Sequence, residues 1–133
     1  MTTPTPSFDI TDPVAQDAAV ANVRITDASF VAVIGIGVEG VPTSDETTWL
    51  VLNVASGRAT MTSRSATPRK ESAERALGVT VGVSATPATW NAIPNRAAFL
   101  AAVAARRFSV VGSSPFWIRH MDSIVELLEH FHS

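Results

Sequence analysis

Hydrophobic and polar positions from Val79 to Phe131 switch between two periods. Val79-Thr80-Val81-Gly82-Val83 is β-branched and stops at Ser84, which predicts a strand. Thr86-Pro87 supplies a capping hydroxyl before a proline at the first helical position, so a short helix follows through Trp90 and Ile93. Pro94 breaks it, and Asn95 caps a second helix from Ala97 to Arg106. Phe108 to Val111 returns to strand and Gly112 ends it. Ser114-Pro115 then opens a helix that runs almost to the C-terminus. Its residues Trp117, Met121, Ile124, Leu128 and Phe131 recur at three-four spacing, and Ile118, Val125 and Leu127 widen the stripe. Arg119, Asp122, Glu126 and Glu129 fall mostly outside it. This order describes an apolar cover laid over a sheet.

The first half supplies the rest of that sheet. Thr11-Asp12-Pro13 starts a helix to about Val23, with a modest stripe of Val14, Ala18, Ala21 and Val23. Phe30 to Val38 alternates larger residues with Ala and Gly, as a strand with one crowded face does. After a turn at Glu39 to Glu46, Thr47 to Ala55 places Trp49, Val51 and Asn53 on one face. Thr48, Leu50, Leu52 and Val54 take the other. Ser56-Gly57 is a tight turn into a third strand, Arg58 to Ser63, which completes an antiparallel meander. Arg64 to Leu77 is polar, with Pro68 and the cluster Arg69-Lys70-Glu71. It reads as a lid or docking surface, or as a solvated loop with one helical turn. The helical connection between Val83 and Arg107 is long enough for a crossover, which predicts that the fourth and fifth strands run parallel.

At 133 residues the length fits one domain over residues 9–133, behind a disordered leader at 1–8. Hydrophobic residues make up 46% and charged residues 17%, a surplus that a large core, an interface or an internal pocket would absorb. Net charge is −2 and the basic residues are scattered, which disfavours nucleic acid as a partner. The absence of cysteine excludes disulfides and thiolate chemistry. Met1 to Ser7 lacks the regions of a signal peptide, and no apolar run is long enough to span a bilayer. A cytoplasmic protein without stable membrane insertion is expected.

With these elements placed, the chain resembles the sterol carrier protein-2 family. Thr48-Trp49-Leu50-Val51-Leu52-Asn53-Val54-Ala55-Ser56-Gly57-Arg58 is similar to the family's strand-turn-strand. Gly78 to Ser84, with the helix holding Trp90, looks like its fourth strand and following helix. Ala98-Phe99 and then Arg107-Phe108-Ser109-Val110-Val111-Gly112 look like its Ala-Phe helix and basic-apolar strand. The match spans Phe30 to Phe131. It departs in a longer interlude at Arg64 to Leu77, an extended second helix, and Arg106 where a small residue is usual. The resemblance implies an α+β fold, a five-stranded mixed sheet with helices covering one face. It also implies an apolar tunnel between the sheet and the C-terminal helices.

The ligand-binding residues expected for such an enclosure are Trp90, Phe99, Val103, Phe116, Trp117, His120, Met121, Ile124 and Leu128. The ligand would be a lipid, fatty acyl, sterol-like or polyketide-like molecule, carried by a monomer or homodimer without a cofactor. A cofactor-independent isomerase or cyclase could use the same pocket, with His120, Arg119 and Arg106 as polar groups. A dimerising interaction domain built on the last helix is the third possibility. No catalytic residue is assigned, since no serine lies in a nucleophile elbow. His130 and His132, two apart, lack the third ligand that zinc requires, so no metal site is assigned. Gly35-x-Gly37-x-x-Gly40 opens no helix and is no dinucleotide fingerprint.

Overall fold

The computed structural model describes residues 10–40, 46–67, 78–92 and 96–131. Helix α1, Pro13–Asn22, is capped by the Asp12 carboxylate, which accepts from the Val14 N–H at 3.0 Å. It buries Gln16, Ala19 and Val20; of the expected stripe only Val23, at the C-cap, is buried, and Val14 is 75% exposed. The rotation is possible because Gln16 is satisfied inside. Its Nε2 donates to the Ile10 carbonyl at 2.6 Å and its Oε1 accepts from Arg64 Nε at 2.9 Å.

Strands β1 (Ala32–Glu39), β2 (Thr47–Ala55) and β3 (Arg58–Thr67) form the antiparallel meander. Ser56 and Gly57 both take positive φ, 54° and 75°, as a two-residue hairpin turn matching the strand twist requires. A Cβ on Gly57 would also stand 2.9 Å from the Ile25 carbonyl oxygen, so that position is closed to side chains. β3 continues past Ser63 to Thr67. Arg64, expected in the charged interlude, therefore sits on a strand and reaches Asp17 at 3.1 Å. The remainder of that interlude, residues 68–77, lies outside the described residues, as do the leader through Asp9, most of the 39–46 turn, residues 93–95 with the expected cap Asn95, and His132.

Strand β4 (Val81–Ala85) is followed by helices α2 (Pro87–Asn91) and α3 (Arg96–Ala104), then β5 (Ser109–Gly112). The sheet order is β3-β2-β1-β4-β5, with β1 and β4 the parallel pair. The expected parallel pairing of the fourth and fifth strands is wrong: β4 and β5 are antiparallel, with Ser84 opposite Ser109 and Val81 opposite Gly112. The two helices run out and back, so the chain re-enters the sheet at the end it left. Thr86 caps α2 and Ser113 caps the next helix, each through its hydroxyl.

The long C-terminal helix is also interrupted. It is two helices, α4 (Ser114–Arg119) and α5 (Met121–Leu128), meeting at His120, whose φ and ψ of −114° and 20° leave the helical region. A 3-10 turn, Glu129–Phe131, follows. Helices pack on the sheet face formed by Ile34, Ile36, Leu50, Leu52, Val81 and Val83, where the main core lies. The opposite face holds a smaller cluster of Trp49, Val51 and Val79, flanked by Val33 and Val111. No described helix is long and apolar enough to cross a membrane.

Candidate functional site

The helix-covered side of the sheet brings most of the expected ligand residues into one layer. Trp90 from α2, Phe99 from α3, and Ile124 and Leu128 from α5 belong to the main core, each at most 3% exposed. Val103, Phe116 and Trp117 are half-buried and pack against it. Trp90 is anchored twice. Its Nε1–H donates to the Gly37 carbonyl at 2.8 Å, and its ring meets Phe108 edge-on at 4.8 Å. Phe108 in turn touches Phe99 at 4.9 Å.

His120 joins a second aromatic group. Its ring centroid lies 4.5 Å from Phe116 and 5.4 Å from Phe30, and those two phenyl rings are 5.8 Å apart. The backbone break puts His120 to this use. Its N–H closes α4 on the Phe116 carbonyl, while its own carbonyl accepts from Ile124 N–H at the start of α5. The stripe expected of one straight helix is thereby split. Ile124 and Leu128 turn inward, whereas Met121 stays outside at 36% exposed, beside Ile118 at 73%. Met121 is thus the expected site residue that the fold does not bring into the layer. Nearby, the Ser29 hydroxyl and then its backbone N–H donate to Asp27, at 2.5 and 3.0 Å. These bonds hold the Asp27 carboxyl below the ordinary aspartate value against slight desolvation, with His120 adding a smaller electrostatic pull.

A cavity of about 380 Å³ opens elsewhere, between α2 and α3, lined by Thr89, Ala92, Ala98, Ala101, Ala102, Ala105 and Arg107. None of the expected ligand residues lines it. Helix α3 ends there in a double hydrogen bond: Arg106 N–H to the Val103 carbonyl at 3.0 Å and Arg107 N–H to the Ala102 carbonyl at 2.9 Å. That pairing is the Schellman arrangement, and it holds Arg106 at φ 61°. Among the described residues no group of three or more His, Asp or Glu side chains could hold a metal ion.

Sequence reasoning found α2, α3 and the last helices as walls but missed Phe30 and Phe108 as the rings that tie them to the sheet. Phe30 was legible only as the start of a strand; it precedes β1 and turns into the helical layer. Gly35 and Gly37 also acquire a role. A Cβ on either would stand 2.9 Å from the Trp49 indole, which lies across them on the second sheet face.

No family model matches the sequence, and no curated protein does. Solved structures do match. A solution structure from Thermus thermophilus, described as a conserved hypothetical protein and possibly a sterol carrier protein, has a TM-score of 0.63 at 11% identity. The likeness covers 98% of this chain and 92% of that one. The fold is sterol carrier protein-like. The UbiJ-SCP2 ubiquinone synthesis protein has a TM-score of 0.50 at 16% identity, over 92% of this chain and 84% of that one. At such identities, what is shared with sterol carrier protein-like structures is the arrangement of sheet and helices.

Proposed function

We propose that the protein binds and carries a small hydrophobic molecule (a lipid, fatty acyl, sterol-like or polyketide-like compound) in the apolar layer between the sheet and its C-terminal helices. The observation that supports this most is the gradient of burial across that layer. Half-buried Phe116 and Trp117 form its margin, and fully buried Ile124 and Leu128 lie behind them. The break at His120 divides the cover into two short helices. Parting them would expose apolar wall to a ligand, and burial of the ligand's own apolar area at roughly 25 cal/mol per Å² would drive binding. The solved relatives' descriptions, one possibly a sterol carrier and one for ubiquinone synthesis, concern apolar molecules and agree with this class.

Displacement of a fluorescent fatty acid, together with native mass spectrometry of the purified protein, tests the reading. A co-purifying apolar mass and displacement weakened by Trp117→Ala support it. A protein that arrives empty and displaces nothing sinks it.

A further inference from the structure

We infer that the cleft between α2 and α3 is a second binding site, for a compact amphiphile bearing one carboxylate. Its volume of about 380 Å³ lies within the range of small-molecule pockets, roughly 300–1,000 Å³. Four of its walls are methyl groups on α3 and its C-terminal end: Ala98, Ala101, Ala102 and Ala105. Waters against such walls lose hydrogen-bonding partners, so an apolar body of matching size displaces them favourably.

The polar residues lining it are Thr89, whose hydroxyl already bonds the Thr86 hydroxyl at 3.0 Å, and Arg107, the one charged residue of the lining. The main chain at Arg107 is fixed by the helix cap, and its side chain is exposed. Its N–H is tied to the Ala102 carbonyl, inside the cleft wall, and it makes no ion pair among the described residues. A guanidinium so placed at the edge of a methyl-lined cleft complements a planar, two-oxygen anion on an apolar tail. The αL residue Arg106 reverses the chain so that Arg107 comes back to that edge.

Of the cleft's lining only Ala102 belongs to the main core, and none of the residues proposed to hold the carried molecule lines it, so this site and the carrier reading stand or fall separately. The test is a ¹H–¹⁵N titration of the whole protein with decanoate, with decanol as its uncharged analogue. Decanoate should shift the amides of Thr89 and Ala98 to Ala105, and decanol should bind there about tenfold more weakly. Arg107→Gln should lower decanoate to the affinity of decanol, while Ala101→Leu, a change at an exposed position, should weaken both. Equal decanoate affinity in wild type and Arg107→Gln overturns the inference, whether or not Ala101→Leu folds. Shifts confined to Ile124 and Leu128 also overturn it but favour the carrier reading. Shifts at neither place overturn this inference and leave the carrier reading to its own displacement test.

Discussion

Replacing Arg106 by glycine should stabilise the protein. Arg106 holds φ 61° as the residue after the α3 C-cap, a left-handed position where glycine is favoured. A side chain in that region costs roughly 1–2 kcal/mol, because Cβ crowds the following carbonyl oxygen. Glycine removes the clash but gives the unfolded chain more freedom, an offset of roughly 0.5–1 kcal/mol. The net expectation for Arg106→Gly is a gain of about 0.5–1 kcal/mol, which for a chain of this length raises Tm by about 2–4 °C. Arg106→Ala is the control, since alanine keeps the Cβ and should gain nothing. Both hydrogen bonds of the cap, to Val103 and Ala102, use backbone N–H groups and survive either change. Urea and thermal unfolding followed by circular dichroism would measure both variants. If alanine stabilises as much as glycine, the arginine side chain and not the backbone is the source, and the reasoning fails.

Further outcomes follow from the packing and the hydrogen bonds. Gly82→Ala puts a Cβ 2.7 Å from the Trp49 ring and 2.8 Å from Val111, so it should cost about 1–3 kcal/mol in chemical denaturation. Gln16→Ala strands the Ile10 carbonyl and Arg64 Nε and should cost about 1–3 kcal/mol, whereas Asp17→Asn, in an exposed ion pair, should stay within about 0.5 kcal/mol by urea midpoint. Trp90→Phe removes the donor to the buried Gly37 carbonyl and should destabilise by about 1–3 kcal/mol, with the loss of that indole N–H signal in NMR as a check on assignment. Ser29→Ala should raise the Asp27 carboxyl toward its ordinary value in an NMR titration. Because the folded value is depressed, the stability those bonds supply is present above the unfolded value of about 3.9 and fades as pH falls through the folded one. The variant and wild type should therefore converge in acid.

Much of the fold was legible because local chemistry and burial agree. Thr86-Pro87 and Asp12-Pro13 cap helices as their spacing implies, and the helix expected to open at Ser114-Pro115 does so, capped by Ser113. Ser56-Gly57 turns as a tight hairpin, and the two faces of β2 separate as the alternation predicts. The failures have one cause: long-range contacts outvoted local pattern. Gln16 could replace an apolar residue on the buried face of α1 only because Ile10 and Arg64 complete its hydrogen bonds. His120 breaks a well-patterned helix where its ring packs with Phe30, ninety residues earlier in the chain. The pairing of β5 depended on how α2 and α3 fold back, and a count of connecting residues cannot report that. At the candidate site, Trp117, Ile124 and Leu128 lie in the layer where the stripe put them. Beyond the break Met121 left the layer.

The indole on the second sheet face ties together the inheritance of four distant positions. Trp49 fits only because Gly35, Gly37 and Gly82 carry no side chains, and Ser84 and Val111 crowd two of those positions as well. A lineage that lost the tryptophan would relieve Gly35 most, because Ser84 at 2.7 Å and Val111 at 2.8 Å would still meet a Cβ at Gly37 and Gly82. A lineage that enlarged any one glycine first would meet the ring. Divergence at these sites should therefore be coupled in one direction: wherever the tryptophan is kept, the three glycines have to be kept with it.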